Sequence, residues 1–524
     1  MTTATRTIET NIPARLDRLP WSRWHWTVLI GLGAVWILDG LEVTVVGVIG
    51  PRLTDPSAGL GLTDGQVGLG ASIYVVGACL GALLFGHLTD RFGRKRLFLL
   101  TLALYLSATV ATAVSFDPLW FYACRLLTGA GIGGEYAAIN SAIDELIPAR
   151  VRGRVDVVVN GSFWVGTTIA AALSIPVLNG NLIPEDVGWR ALFALGALLG
   201  LGVLIVRRAV PESPRWLFLH GREDEAERVV RDIEEQVEAS TGTAPEPVEE
   251  TIRVRQRRAV AFREIFETAV RRYPRRTLLG LALFVGQAFL YNAVYFTYAL
   301  VLSTFFKVPD ARVGYYLIPI GVGNFLGAFL LGKLFDTLGR RVMITSSYVL
   351  SGVLLIGTGL LFRADVLNAW TLTACWSVVF FFASAGASAA YLTVSEIFPM
   401  ETRAMAIAAF YAVGTGLGGV IGPVLFGRLV ETERVSAVAS GYFLGAVLMI
   451  GAGVVELLIG VEAAGKSLED IARPLSAERP AGTGTGTVAG GTAGAARGRR
   501  VLALSGSVVK KASWRGRRSR RERI

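Results

Sequence analysis

The sequence predicts an all-α membrane protein, with twelve transmembrane helices arranged as two pseudo-symmetric six-helix bundles. Three observations carry this. Of 524 residues, 52% are apolar and only 18% charged, and the mean hydropathy of +0.51 is too high for a soluble globular chain. Apolar runs of about 20 residues, long enough to cross the hydrocarbon core as helices, recur twelve times. They fall at residues 25–50, 65–88, 96–115, 119–143, 156–180, 188–208, 277–304, 312–335, 341–362, 367–393, 403–428 and 437–461. Finally, the loop phrase Gly86-His-Leu-Thr-Asp90-Arg91-Phe-Gly93-Arg94-Lys95 returns 246 residues later as Gly332-Lys-Leu-Phe-Asp336-Thr-Leu-Gly339-Arg340-Arg341. A charged loop repeated near half the chain length marks two homologous bundles in one polypeptide.

The expected organisation is a cytoplasmic segment 1–24, bundles at 25–208 and 277–464, a cytoplasmic central loop 209–276 and a cytoplasmic tail 465–524. The first apolar run is too long for a signal peptide and lacks a small-residue cleavage site. Within the central loop, Glu223–Glu238 reads as a charged helix, which Thr241–Pro247 ends. Cys79, Cys124 and Cys375 fall inside spans, so neither a disulfide framework nor metal-ligand spacing is present. No nucleotide loop, nucleophile elbow or metal cluster suggests an enzyme, and no cofactor is expected.

Basic residues set the orientation. Arg91, Arg94 and Lys95 follow the second span, Arg150, Arg152 and Arg154 the fourth, and Arg340 and Arg341 the eighth. Bases retained on the cytoplasmic side place both termini inside a plasma or inner membrane. The net charge of +11 does not point to nucleic acid. Residues 497–524 hold eleven Lys or Arg against Glu522, so nearly all of the excess lies in a tail behind a Gly/Thr/Ala-rich linker. Such a tail suits anionic lipid, at roughly 1 kcal/mol per base.

The G-x-x-x-D-R-x-G-R-K phrase after the second span resembles the loop signature of the major facilitator superfamily of secondary transporters. Pro211-Glu-Ser-Pro-Arg-Trp-Leu217 is similar to the phrase that sugar porters and related metabolite carriers place after their sixth helix. A second repeat, Glu145-Leu-Ile-Pro148-Ala-Arg-Val-Arg152 with Glu396-Ile-Phe-Pro399-Met-Glu-Thr-Arg403, has an offset of 251 residues. The resemblance implies a cytoplasmic gate of ion pairs drawn from Asp90, Arg91, Arg94, Glu145, Arg152, Asp336, Arg340, Glu396 and Arg403. Positive-inside topology alone needs the bases but not the acids.

Ionisable groups deep in a span are costly and mark function. Asp39 and Glu42 lie in the first span, Arg125 and Glu135 in the fourth. Glu42 and Arg125 fall about 12 Å and 9 Å from the outer end of their spans at 1.5 Å per residue. They can therefore meet if these helices are neighbours. Gly40-Leu-Glu42-Val-Thr-Val-Val-Gly47 and Arg125-Leu-Leu-Thr-Gly129-Ala-Gly131-Ile-Gly133 resemble the sugar-porter phrases whose acid–arginine pair couples protonation to transport. Here Glu stands where the family carries Asp. Asp39 shares the helix face of Glu42, and Glu135 suits a substrate contact, a proton step or a pair within the bundle.

In the seventh span, Gln287, Tyr291, Asn292 and Tyr295 resemble the sugar-binding stretch of the same branch. Gly286 replaces one of its paired glutamines, and Leu290 its glycine. Trp376 in the tenth span is a candidate for stacking on a ring. The resemblance implies a monomeric, proton-coupled carrier taking up a small polar metabolite (a sugar, polyol or organic acid) by alternating access. A proton antiporter exporting drugs or metabolites, and a transport-dead nutrient sensor, stay open as alternatives.

Overall fold

The computed structural model describes residues 7–57, 59–62, 64–179, 182–207, 211–244, 246–248, 251–255, 267–292, 298–308, 312–399 and 403–472. A short strand β1 (Thr7–Thr10) and helix α1 (Ile12–Asp17) precede the first span, α2 (Arg23–Thr54). The first half continues through α3 (Asp64–Phe92), α4 (Arg94–Ala113), α5 (Pro118–Leu146), the fifth span in two pieces as α6 (Arg152–Gly161) and α7 (Phe163–Val177), and α8 (Glu185–Arg207). The central loop holds α9 (Pro214–Leu219), α10 (Glu223–Thr241) and β2 (Ile252–Arg255). The second half follows a π-helical turn at Thr268–Arg272. It comprises the seventh span, described as α11 (Pro274–Leu290) and α12 (Tyr298–Phe306) on either side of residues outside the described ones, then α13 (Val313–Thr337), α14 (Arg340–Arg363), α15 (Ala369–Ile397), α16 (Arg403–Glu431) and α17 (Val435–Ile459). A last turn, α18 (Leu468–Ile471), closes the described chain. The basic tail expected after it lies outside the described residues.

All twelve expected spans are helical over most of their described residues, with ends set by local chemistry. Asp117 accepts hydrogen bonds from the Leu119 and Trp120 amides, and Pro118 occupies the first turn where no N–H is needed. Asn368 caps α15 through the Thr371 amide. Among the described residues, nine helices are long and apolar enough on their own to cross a membrane. The fourth span, which carries Arg125 and Glu135, the seventh, of which residues 293–297 lie outside the described ones, and the eleventh are not among the nine. The all-helical expectation needs one amendment: β1 and β2 pair antiparallel, Thr7 opposite Arg255 and Thr10 opposite Ile252.

The duplication is visible in the packing. Gly77 and Gly81 bring α3 against the backbone of Leu126 and Ala130 in α5. Gly323 and Gly327, again 246 residues on, bring α13 against Ser377 and Phe381 of α15. A Cβ at these positions would strike backbone atoms, so small residues permit the close crossing. Between the halves, α3 packs on α16, and α6 and α7 pack on α13.

The N-terminal segment docks on α10. Arg15 and Arg18 both bond Glu234, and Arg15 also reaches Glu227 at 2.6 Å. Burial opposes ionisation of Glu234, but the hydrogen bonds from Arg15 and Arg18 outweigh it and hold the carboxyl below its usual range. That contribution is therefore present above the ordinary glutamate range and lost as pH falls through the lowered value. Glu234→Gln should loosen the segment. Limited proteolysis between residues 10 and 22 should accelerate, with a stability loss of no more than about 1 kcal/mol, as for a partly exposed pair. An unchanged cleavage rate would assign the docking to the buried Ile12 and Leu16.

Candidate transport site

A cavity of about 170 Å³ lies between the halves. The first half lines it with Trp36, Tyr74, Tyr136, Asn160, Phe163 and Trp164, the second with Gln287, Tyr291, Asn292, Ser384, Ser388, Tyr391 and Tyr411. Aromatic rings form the walls. Trp36 stacks on Tyr136 with centroids 4.7 Å apart, and Trp164 on Tyr291 at 5.1 Å. The Tyr291 hydroxyl donates to Asn324 Oδ1 at 2.8 Å, and Asn292 Nδ2 to the Ala288 carbonyl at 2.7 Å.

Three of the expected substrate-site residues, Gln287, Tyr291 and Asn292, thus reach one cavity. Tyr295 lies outside the described residues. Trp376 is corrected: it is fully buried, packed on Phe380 and Tyr442, one ring behind the wall that Tyr291 makes with Phe380. Asn160 escaped the sequence reading: it lies only four residues into its apolar run, whereas Gln287 and Asn292 stand deeper in theirs.

One layer behind the wall sit the intramembrane charges. Arg125 Nη2 donates to Glu42 Oε1 at 2.5 Å, to Thr128 Oγ1 at 3.1 Å and to Thr112 Oγ1 at 3.3 Å. Both members of the ion pair are fully buried. The guanidinium carbon also lies 5.0 Å from the Phe193 ring centroid and 5.9 Å from that of Tyr74, which adds cation–π attraction. The depth arithmetic therefore placed a real contact. Asp39, three residues before Glu42, is fully buried, and its carboxylate makes no hydrogen bond among the described residues. Glu42 and Glu135 are both within its electrostatic reach. Trp36 and Tyr136, close in sequence to Asp39 and Glu135, stack on each other in the cavity wall.

At the end of the bundles that carries the motif loops, the two copies build matching networks. Arg94 pairs with Glu145, which also accepts from the Ser213 hydroxyl. Arg340 holds Glu396 through two bonds of 3.0 Å and Asp336 through one of 2.8 Å. Glu212 accepts from the Arg94 and Lys95 amides, and Glu462, 250 residues on, from those of Arg340 and Arg341. These acids were not expected, because the turn prolines around Glu212 explained its phrase without a role for the side chain. Their approach explains a motif glycine. Gly93 and Gly339 cap α4 and α14 at φ of 94° and 96°, where a Cβ would collide with the capping carboxylate.

Other contacts cross between the halves and close this side. Asp336 accepts from the Gly153 and Arg154 amides at 3.1 and 2.8 Å. Arg152 approaches Glu396 at 4.0 Å, and Ser395 donates to Asp144 at 3.2 Å. Two expected gate residues, Asp90 and Arg403, have side chains outside the described residues. Arg91 is corrected: it is exposed, with its guanidinium 5.2 Å from the Phe92 ring centroid and no part in the described gate contacts.

Duplicated bundles around a central cavity, with a charged closure on one side, define a multi-pass secondary transporter rather than an enzyme. The comparisons agree. The chain belongs to the sugar (and other) transporter family, whose profile matches residues 50–475, within the major facilitator superfamily. It is similar to the niacin transporter NiaP of Acinetobacter baylyi, with 30% identity over 469 residues covering 88% of this chain and 99% of that one. It is also similar to myo-inositol transporter 2 of Schizosaccharomyces pombe, with 28% identity covering 78% and 75%. In fold it matches the proton:xylose symporter XylE bound to 6-bromo-6-deoxy-D-glucose, with a TM-score of 0.71, 18% identity, and 86% and 98% of the two chains covered.

Proposed function

We propose that this chain takes up a small polar metabolite together with protons, by alternating access, in a plasma or inner membrane with both termini cytoplasmic. In this reading the two bundles span 25–208 and 277–464 and rock as units, and one chain suffices for transport. The observation that carries it is the buried Glu42–Arg125 pair, set against Tyr74 of the cavity wall, with Asp39 in the field of both Glu42 and Glu135. A buried acid whose basic partner can be withdrawn can exchange a proton with each change of state.

The cavity supports a small ring-bearing or polyhydroxylated solute. Aromatic faces supply stacking surface, and Asn160, Gln287 and Asn292 supply amides for hydrogen bonding. A sugar, a polyol and an organic acid such as niacin all fall within that class. The test is uptake of labelled hexose, inositol and niacin into proteoliposomes under an imposed inward proton gradient. Concentrative uptake of one of them, collapsed by a protonophore, is expected. Accumulation driven only by the opposite gradient would favour export by antiport. Specific binding without transport of any bound solute would favour a sensor.

A further inference from the structure

The functional reading leaves unused one buried acid in the closed seam. Gly153, Asp156 and Asn160 form a stripe along one face of α6. At its cytoplasmic end, Gly153 donates to Asp336, and a Cβ there would strike the Arg340 guanidinium. At its other end, Asn160 lines the central cavity. Asp156 lies between gate and cavity and is fully buried. Neither carboxylate oxygen makes an ion pair or a well-formed hydrogen bond among the described residues, and the Asn160 amide lies beside it.

The surrounding charges do not balance it. Asp144 on α5 and Glu396 on α15 face it, as does Arg340 on α14. Arg340 is already engaged by Glu396 and Asp336. Arg152, on the same helix, reaches Asp17 and Glu396, and Arg154 is exposed on the helix's other face. Of the other helices packed on α6, α7 carries no charged residue, and α2 carries Arg23 and His25 near its start, Asp39 and Glu42 at mid-span and Arg52 at its far end. An ionised Asp156 would therefore be an unpaired charge among acids, which a dry seam does not tolerate.

We propose that Asp156 is a proton-operated element of the cytoplasmic gate: it is held as the neutral acid while the halves are closed, and it ionises when they part and water enters. Closure then takes up a proton from the cytoplasmic side, so acid favours the closed gate and alkali the open one. For one proton, the open-to-closed ratio changes by up to about tenfold per pH unit. The device rests on alternating access but not on coupling through Glu42.

Hydrogen exchange of α6 in the purified protein, normalised to intrinsic rates, tests it. Wild-type α6 should lose protection as pH rises. Asp156→Asn should stay protected with a flat profile, and Asp156→Glu should restore the slope. Infrared difference spectra should show a carboxylic-acid carbonyl band in the closed protein that Asp156→Asn removes and Asp156→Glu shifts. This second readout serves if the asparagine variant alters stability. Glu42→Gln should leave the slope intact even if it abolishes coupling, which separates failure of this inference from failure of the functional reading. A wild-type slope in Asp156→Asn, or a carbonyl band that neither variant changes, would overturn the proposal.

Discussion

Glu42→Gln should abolish concentrative uptake while sparing exchange of labelled for unlabelled substrate. Glutamine keeps the size of the side chain and its hydrogen-bonding oxygen for Arg125 but cannot titrate. Under a proton gradient, accumulation should fall to simple equilibration. Counterflow, which needs no net proton movement, should stay within a few-fold of wild type. Arg125→Ala should impair both, because it leaves Glu42 buried without its 2.5 Å partner, a loss of about 3–5 kcal/mol for a broken buried pair. If Glu42→Gln still concentrates substrate, the proton is carried elsewhere. Asp39 and Glu135 then become the first substitutions to make.

The second large effect is expected at Arg340. Its guanidinium ties Glu396, Asp336 and the Phe335 carbonyl together while nearly fully buried. Alanine would strand Glu396 with only Arg152, 4.0 Å away. The same range of about 3–5 kcal/mol would fall on the second half, where all three partners lie, and would loosen Asp336, whose bonds to the Gly153 and Arg154 amides tie the two halves together. Counterflow should collapse in Arg340→Ala. Arg340→Lys should recover little, since a lysine cannot make the two-pronged bond to Glu396. Wild-type counterflow in Arg340→Ala would show that the closure at the motif loops does not depend on this residue.

Much of this architecture was legible in the chain because the bilayer is a demanding solvent. It forces continuous apolar runs, and the duplication left its charged loops in register. The same logic located Glu42 and Arg125: mid-span charges are rare, and helical rise converts position into depth. What escaped was set by tertiary contact. The β1–β2 ribbon joins segments some 240 residues apart, and strands of four residues leave no usable periodicity. Trp376 and Tyr291 looked equivalent as aromatics in spans, but only the helix faces, fixed by packing, put one on the cavity and the other behind it. Glu212 and Glu462 were hidden because each acts on a helix start far back in the sequence.

Those two acids also affect the work of opening. Glu212 fastens the chain leaving the first half to α4 of that same half, and Glu462 does the same for α14 in the second. Neither strap spans the gap, so neither need be undone when the halves separate. The described bonds that must break are Asp336 to Gly153 and Arg154, Asp144 to Ser395, and the long Arg152–Glu396 pair. At about 1 kcal/mol net for each hydrogen bond, this latch is weak enough for a bound solute to tip, while each half stays stiff enough to transmit the motion.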